Sequence, residues 1–347
     1  MAAACRSTAP VCEGCAAWVH GQESAEVSLP GEKHLSNIRQ ITFGGENAEA
    51  YWSFDDRFLI FQSTRDDLEC DQIFTLEVAT GELTQLTNSG RTTCAFFLPN
   101  SDRVLFASTH AVSSECPPVP DRSKGYTWPL YNGYEIYTAE RDGTGLVNIS
   151  ESMGYDAEAT VSQDGNIVFT SDRSGDLELW SMNSEGGELK QLTNTPGYDG
   201  GAFFSRDGTK LVWRASRFDD AGEEAEYFRL LDEGIIRPSH LEIFVADADG
   251  RNVRQLTNNG AANFGPFFTP DGESVVFSSN MGDPRGRVFE IWKVDIDGKN
   301  LEQITHNGES FDGFPMFSWC GARLAFASNR NAAVPHDTNV FISDWIE

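Results

Sequence analysis

Small polar side chains stand at one repeated position of the sequence, and half of them are aspartates that could bind a cation. Carboxylate and amide oxygens are the hard ligands that calcium and magnesium prefer. Several carboxylates around one cavity would repel each other unless donors or a cation neutralised them. The alternative is structural, since Asn and Asp in a turn often bond to the backbone two residues further on. The residues are Asn47, Thr92, Asp156, Asp199, Asn263 and Asp312.

A second series lies two residues after each of these positions. Glu49 and Glu158 would add negative charge on one side of a ring, whereas Gly201 and Gly265 would leave room on the other. The remaining members are Cys94 and Phe314.

These carboxylates support two interpretations. The first is a polar ligand site, with calcium as the candidate metal at Asp156, Asp199 and Asp312, although no segment has the ligand spacing of a calcium loop. The second is a metal-assisted hydrolase or lyase that uses the same aspartates together with Glu158. No GxSxG turn, P-loop or dinucleotide fingerprint occurs, so nothing in the sequence demands catalysis.

Four further residues are candidates for ligand contact. Tyr155 and Tyr198 each precede an aspartate and could form stacking walls or pack at the rim. His110 and His240 flank two long insertions, and neither belongs to a zincin or triad motif. A structural role is the alternative for both histidines.

A repeated phrase positions all of these residues. Trp52-Ser53-Phe54-Asp55-Asp56 precedes an apolar run, and Phe204-Ser205-Arg206-Asp207-Gly208 and Phe268-Thr269-Pro270-Asp271-Gly272 do the same. Each copy contains four strand-length apolar runs separated by turn residues. Copies of four short strands that recur along the chain predict one blade of a β-propeller per copy. The six aligned positions are Ser53, Leu98, Ser162, Ser205, Thr269 and Ser318.

The outermost strand of the blades has its own tag, which also predicts how the ring closes. Gln191-Leu192-Thr193 is one example, and Gln40-Ile41-Thr42 is a surplus copy before the first full repeat. The last repeat ends near Phe341 without a tag. We therefore expect residues 39–43 to pair with the last strand, which leaves no bare edge.

The phrase and the tag together resemble the TolB-type propeller repeat, in which a W-S-P-D-G turn and a Q-L-T strand recur in order. The resemblance covers roughly residues 38–347, and the turns depart from it locally, as at Phe54, Gln163 and Trp319. It implies a soluble, usually extracytoplasmic interaction domain, and the six copies predict an all-β, six-bladed propeller. It does not imply one shared activity, because function depends on sites grafted onto a fold.

Two copies are enlarged by insertions, at about residues 110–133 and 218–239. Propeller geometry places both on the rim where the innermost strands begin, here called the top face. The second insertion is predicted to be helical, with Ala221, Ala225, Phe228 and Leu231 on one face. Long loops on one face of a repeat scaffold often bind partners. The alternative is that the insertions only plug the channel or pack on each other.

Three cysteines map to the same rim. Cys70 and Cys94 belong to neighbouring blades, so a disulfide between them is plausible, and Cys116 competes for either. A disulfide would fit an oxidising compartment. Free buried thiols are the alternative. The Cys12–Cys15 pair lacks the second pair that zinc needs.

Residues 1–36 are predicted to be a flexible tail and residues 37–347 the propeller. Ala2-Ala3-Ala4-Cys5 resembles the end of a bacterial lipoprotein signal, which predicts a lipid anchor at Cys5. No apolar stretch is long enough to span a membrane.

A net charge of −27 disfavours nucleic acid as a partner, because such a surface repels phosphates. The sequence thus predicts a non-enzymatic, extracytoplasmic binding scaffold, periplasmic or secreted. Its acidic top face and two insertions would hold a protein, a peptide or an envelope polymer. The alternative is the metal-assisted enzyme with an acidic site at the channel mouth.

Overall fold

Six four-stranded antiparallel sheets form a ring, which confirms the predicted six-bladed all-β propeller. A computed structural model describes residues 27–119, 121–308 and 311–347. The predictions for Cys5, Cys12 and Cys15 lie outside these residues. Among the described residues, no helix has the length and apolar character needed to cross a membrane.

The strands of each blade follow one another in sequence from the channel outwards, with one exception in the last blade. The ring-closing strand is β1 (Leu35–Gln40). Blade 1 contains β2 (Glu46–Trp52), β3 (Phe58–Thr64), β4 (Gln72–Glu77) and β5 (Leu83–Gln85). Blade 2 contains β6 (Thr92–Phe97), β7 (Arg103–Ser108), β9 (Glu135–Glu140) and β10 (Val147–Asn148), with a 3-10 turn (Arg122–Lys124) and β8 (Trp128–Pro129) inserted after β7. Blade 3 contains β11 (Asp156–Val161), β12 (Ile167–Ser171), β13 (Glu178–Met182) and β14 (Lys190–Gln191).

Blade 4 contains β15 (Asp199–Phe204), β16 (Lys210–Ser216), β18 (Leu241–Asp247) and β19 (Arg254–Gln255), with α1 (Ala221–Asp232) and β17 (Ile235–Ile236) inserted after β16. Blade 5 contains β20 (Asn263–Phe268), β21 (Ser274–Ser279), β22 (Glu290–Asp295) and β23 (Glu302–Gln303). Blade 6 contains β24 (Asp312–Phe317), β25 (Arg323–Ser328) and β26 (Asn339–Trp345), and β1 is its outermost strand.

Strand β1 pairs antiparallel with β26, with Gln40 opposite Phe341. The surplus tag near the start of the chain therefore supplies the strand that the last repeat lacks. Residues before β1 also pack on the ring: Glu32 is buried and accepts a 2.8 Å hydrogen bond from Arg330. This part of the predicted tail thus lies against blade 6 rather than free of it.

The threonine of the tag explains why the tag recurs. In blade 4 the Thr257 hydroxyl accepts from the Ile243 backbone N–H at 2.8 Å and donates to the Glu242 carboxylate. In the closing blade Thr42 accepts from the Val340 N–H in the same way. Each hydroxyl ends its outermost strand by satisfying two buried groups of the third strand, which an apolar side chain would leave unpaired.

Aromatic side chains fill the middle of the channel. Tyr51 of blade 1 reaches Phe203 of blade 4, on the opposite side of the ring, with ring centroids 5.3 Å apart. Phe203 also contacts Phe267 of blade 5 at 5.4 Å, and Tyr51 contacts Phe96 of blade 2 at 5.6 Å. These four rings, the channel plug, separate a top chamber from a bottom mouth.

Helix α1 begins where the Asp220 side chain accepts hydrogen bonds from the Gly222 and Glu223 N–H groups. It confirms the predicted helical segment, but the buried face differs. Tyr227 and Leu230 are its buried residues, whereas the predicted Ala221 and Ala225 are exposed. The reason is tertiary, because the Tyr227 hydroxyl donates to Asp176 of blade 3 at 2.7 Å and turns that face inward.

We expect Thr257→Val to lower the free energy of unfolding by about 1–3 kcal/mol, because it leaves buried polar groups without a partner. Urea denaturation measures the change. Thr84→Val is the matched control, since Thr84 lies exposed in β5. Equal effects of the two substitutions would contradict the role given to the tag threonine.

Candidate functional site

Every innermost strand contains a β-bulge at the same height, and the second series predicted from the sequence lies on it. In blade 1, for example, the pairing register shifts between Ala48 and Tyr51. Bulges re-aim a side chain, and a positive φ is costly for residues other than glycine, so Glu, Cys and Phe at these positions need a reason. The φ angles are 56° at Glu49, 51° at Cys94, 56° at Glu158, 59° at Gly201, 52° at Gly265 and 53° at Phe314.

Glu158 and Arg214 form an ion pair in the top chamber, and their side chains are only 12% and 9% exposed. Glu158 also accepts hydrogen bonds from the Tyr198 hydroxyl at 2.6 Å and from the Thr170 hydroxyl at 2.8 Å. The room left by Gly201 is used, since a Cβ there would collide with the Arg214 guanidinium. The carboxylate of Glu158 is therefore fully satisfied within the protein.

Glu49 is the carboxyl of the chamber that lacks such compensation. Burial raises its pKa to about 7; the nearby Arg214 lowers the pKa and Glu158 raises it. Tyr51 offers only a long hydrogen bond of 3.4 Å. Burial also raises the pKa of the Cys94 thiol well above its usual value, and the charges of Glu49 and Glu158 act in the same direction.

The aspartates of the first series are fully buried, and each is paired with an arginine of its own blade. Arg173 donates to Asp156 at 2.6 Å and Arg217 donates to Asp199 at 2.8 Å. Arg330 donates to Asp312 at 2.6 Å as well as to Glu32. Burial still raises the pKa of Asp199 and Asp312, with the arginines acting in the opposite direction.

The other members of the first series bond mainly to the backbone. Asn47 donates to the Thr338 carbonyl of blade 6 at 2.7 Å, and Asn263 donates to the Leu241 carbonyl of blade 4 at 2.6 Å. Thr92 bonds to the Ser108 hydroxyl at 3.3 Å. The ring of small polar residues thus joins neighbouring blades and strands.

The calcium prediction for Asp156, Asp199 and Asp312 finds no support in this geometry. Within residues 27–119, 121–308 and 311–347 no group of three or more His, Cys, Asp and Glu side chains could hold a metal ion. The three aspartates are held apart in separate blades, where arginines supply the positive charge that a cation would have supplied.

The remaining candidates divide between the chamber and the rim. Tyr198 belongs to the chamber, and Tyr155 contacts the ring of Tyr134 at 5.7 Å. His110 bonds to the Ser108 hydroxyl at 2.9 Å and packs on a tyrosine, and burial lowers its pKa. His240 is exposed and separate from the chamber residues described above.

Sequence reasoning missed Arg214, the only strong cation donor to Glu158 among the described residues. A signal for it exists. Arg214 stands in the second strand between the large aromatic and the small residue, where the other copies have Gln62, Ala107, Thr170, Ser278 and Ala327. A single charge in a column of neutral residues marks a site that only one blade provides.

The two insertions join above the chamber and form one structure, here called the cap (residues 110–133 and 218–239). Strand β8 pairs with β17, with Ile236 opposite Trp128, and Lys124 forms an ion pair with Glu233. The Trp128 ring lies 5.2 Å from the Arg214 guanidinium and 5.3 Å from the Phe264 ring. The insertions thus pack on each other and cover the channel mouth.

A disulfide joins the cap to the rim of blade 1, between Cys70 and Cys116, with Cα atoms 5.8 Å apart. The Cys70–Cys94 pairing considered from the sequence is wrong, because Cys94 is a free cysteine. The bulge in β6 directs Cys94 to the Glu49 side of the chamber, and Cys116 reaches Cys70 instead.

The outer surface of the cap is acidic and carries exposed apolar groups. Tyr126 is 71% exposed and Val119 is 81% exposed. The exposed acidic residues are Glu115, Asp121, Asp219, Asp220, Glu223, Asp232 and Glu233.

Comparison with known proteins shows the fold and no more. No protein-family profile and no curated protein matches the sequence. TolB from Acinetobacter baumannii is similar in structure, with a TM-score of 0.55 and 18% identity over 76% of this chain and 55% of that chain. A putative TolB from Agrobacterium tumefaciens has a TM-score of 0.55 and 15% identity over 89% of this chain and 97% of that chain.

An oligogalacturonate lyase from Vibrio parahaemolyticus has a TM-score of 0.50 and 12% identity over 88% of this chain and 93% of that chain. The structure is thus a TolB-like six-bladed propeller, as the repeat predicted. The chain spans about half the length of the Acinetobacter TolB and nearly all of the Agrobacterium protein.

We expect the Cys70→Ser/Cys116→Ser double variant to lose about 2–4 kcal/mol of unfolding free energy, because the crosslink restricts the unfolded chain. Chemical denaturation with and without reductant measures it. Reductant should destabilise the wild type and leave the double variant unchanged. Cys320→Ser, at a free cysteine of a bottom turn, is the control and should still respond to reductant.

We expect Glu49→Gln to gain stability relative to the wild type as pH rises from 5 to 8. The folded-state pKa of about 7 exceeds the pKa of 4.5 for an unburied glutamate, so the stability that protonated Glu49 contributes is lost as pH rises through this window. At roughly 1.4 kcal/mol per pKa unit, the relative gain is at most about 3 kcal/mol.

Urea denaturation at both pH values measures this difference, in which the other titrating groups cancel. Glu46→Gln, an exposed carboxyl at the start of the same strand, is the control and should show no gain. A pH-independent difference for Glu49→Gln would show that Glu49 is ionised throughout.

Proposed function

We propose that this protein is a non-enzymatic binding scaffold that works outside the cytoplasm and presents its cap to a protein or peptide partner. One observation carries the proposal: two insertions from blades 2 and 4 meet in a β8–β17 ladder over the channel, and the second of them exposes an acidic surface. Loops of this kind on a rigid repeat scaffold are suited to binding.

Because the cap covers the channel, a partner-binding site on the surface of the cap is favoured over one inside the channel. Trp128 and Arg214 lie across the chamber mouth, and the channel plug blocks passage below it. A polymer could not thread such a channel without displacing both. The aspartates that an enzyme would use are buried in ion pairs within the blades.

The charge of the cap supports a partner with a basic surface. Opposite charge steers association and selects among partners, and rim charges act mainly on the association rate. Exposed Tyr126 offers the aromatic contact that interfaces favour. An envelope polymer with cationic groups would meet the same surface.

An oxidising location agrees with the Cys70–Cys116 disulfide, since such bonds persist outside the cytoplasm. The proposal places the protein in the periplasm or among secreted proteins, with a lipid anchor at Cys5 as its membrane attachment.

The test uses two matched double variants. Tyr126→Ser/Asp232→Lys changes the cap, and Leu189→Ser/Glu185→Lys makes the same change of charge and apolar surface at an exposed turn on the bottom side. Wild-type protein captures partners from an envelope extract of its own host, and the purified partner is then titrated against all three proteins by calorimetry. We expect at least tenfold weaker binding for the cap variant alone.

Equal affinity of the cap variant and the wild type for every captured partner would overturn the proposal. A loss in both variants would indicate non-specific attraction to an acidic protein. The melting temperature of each variant, measured alongside, separates lost binding from lost folding.

A metal-assisted hydrolase or lyase is the second candidate, favoured by Glu49. A carboxyl with a pKa near 7 is matched to general acid–base catalysis at neutral pH, and Glu158 lies in the same chamber. The described residues hold no group of side chains that fits a metal ion. Turnover of oligogalacturonate that Glu49→Gln abolishes would favour this candidate; no turnover by the wild type would favour the scaffold.

A further inference from the structure

Each seam between neighbouring blades holds a pair of polar side chains at an equivalent position. One member stands at the start of the third strand of a blade, and the other begins the innermost strand of the next blade. Between blades 4 and 5 the pair is Glu242 and Asn263, and the Asn263 amide donates to the Glu242 carboxylate at 3.4 Å. The two members of a pair therefore face each other across the seam.

Three of these seams pair two acids, and all six acids are buried. Two neighbouring carboxylates repel each other, and the one arginine bonded to each aspartate neutralises a single charge. In two seams the glutamate is compensated by hydrogen bonds, since both oxygens of Glu135 and both oxygens of Glu290 accept from nearby hydroxyl and N–H groups. The pairs are Glu135 with Asp156, Glu178 with Asp199, and Glu290 with Asp312.

The seam between blades 3 and 4 lacks this compensation. Glu178 is 2% exposed, and its Oε2 atom has no hydrogen-bond partner among the described residues. The Oδ1 atom of buried Asp199 accepts from Arg217 at 2.8 Å and from Trp213 at 2.6 Å, whereas its Oδ2 atom has no such partner. Buried oxygens without a donor are costly, and one proton placed between the two acids would satisfy both.

The groups around this pair add negative charge rather than positive charge. Asp176 precedes Glu178 by two residues and accepts from the Tyr227 hydroxyl of α1 at 2.7 Å. Arg217 is bonded to Asp199, and Arg173, at the end of β12, is bonded to Asp156 instead. Three carboxyls thus share one guanidinium at the point where the cap helix meets the ring.

The proton affinity of Glu178 agrees with this arrangement. Burial raises its pKa to about 8; a hydrogen bond with Thr193 lowers the pKa, and the charges of Asp199 and Asp176 raise it. Burial also raises the pKa of Asp199, with Arg217 acting in the opposite direction. Glu178 is therefore the member of the pair that holds the proton at neutral pH.

We propose that the seam between blades 3 and 4 is a pH-sensitive element that controls how firmly the cap helix α1 is held. At neutral pH the protonated Glu178 donates to Asp199 across the seam. At alkaline pH this proton leaves to solvent, and two carboxylates then face each other beside Asp176.

The repulsion acts where α1 is attached. The Asp199 N–H donates to the Leu177 carbonyl at 2.8 Å across the same seam, and Leu177 packs in one apolar cluster with Tyr227 and Leu230 of α1. Loss of the proton should therefore loosen the seam and the helix together. This inference does not depend on what the cap binds.

Infrared spectroscopy tests for the proton itself. The measurement uses the Glu49→Gln background, which removes another buried carboxyl that titrates near pH 7. We expect a C=O band of a protonated carboxylic acid at pH 7 that disappears at pH 10. Adding Glu178→Gln should remove the band at pH 7, whereas adding Glu242→Gln, the same change where Asn263 faces the glutamate, should keep it. A spectrum without such a band at pH 7, or a band that survives Glu178→Gln, would overturn the proposal.

Hydrogen exchange of the backbone amides tests the link to the cap. With a pKa of about 8 in the closed seam and 4.5 once it opens, the protection of α1 should fall about tenfold between pH 7 and pH 9, after correction for the intrinsic exchange rate. Glu178→Gln should reduce this loss to less than about twofold, and β21 of blade 5 should be equally protected at both pH values. Equal losses for α1 in the wild type and in Glu178→Gln, or equal losses for α1 and β21, would show that the seam does not control the helix.

Discussion

The bulge in each innermost strand is the constraint on which the interior of this propeller depends. It holds one residue per blade at a φ of 51–59° and turns that residue towards the chamber at a common height. Glycine takes the position in blades 4 and 5, and neighbours use the space: Arg214 fills the site above Gly201, and Phe314 lies 3.1 Å from where a Cβ of Gly265 would be. Strain at the three other residue types persists because the blades around them fix the backbone.

Charge inside the ring follows from where arginine is available. The buried aspartates at the strand starts have arginines two residues after the second-strand serine or its equivalent, so each charge is neutralised locally. Blade 1 has no such aspartate, and its Glu49 must share Arg214 with Glu158. Removing one partner of a buried ion pair lowers the free energy of unfolding by roughly 3–5 kcal/mol. A buried carboxyl without an arginine of its own keeps its proton instead. Burial therefore raises the pKa of Glu49, and the shared Arg214 offsets only part of this rise.

The sequence was sufficient to predict the features that recur in all six copies of the repeat. The strands, the alignment of the second series and the closing tag near Ile41 follow from a period that aligns every copy, and the similar TolB structures agree with the fold. Contacts that occur in only one place in the ring could not be predicted from the repeat. The pairing of Trp128 with Ile236, and the choice of Cys116 over Cys94 by Cys70, depend on how two insertions fold against each other. Arg214 was visible only as an exception within its column.

Residues that depart from the repeat lie at both ends of the channel, and these residues are the better candidates for function. A residue that serves blade packing recurs in most copies, as the tag threonine does, because every blade faces the same packing problem. A residue that one copy alone carries, such as Arg214 at the top or Arg206 at the bottom, answers no such general need. The plug between Tyr51 and Phe203 keeps the two ends separate.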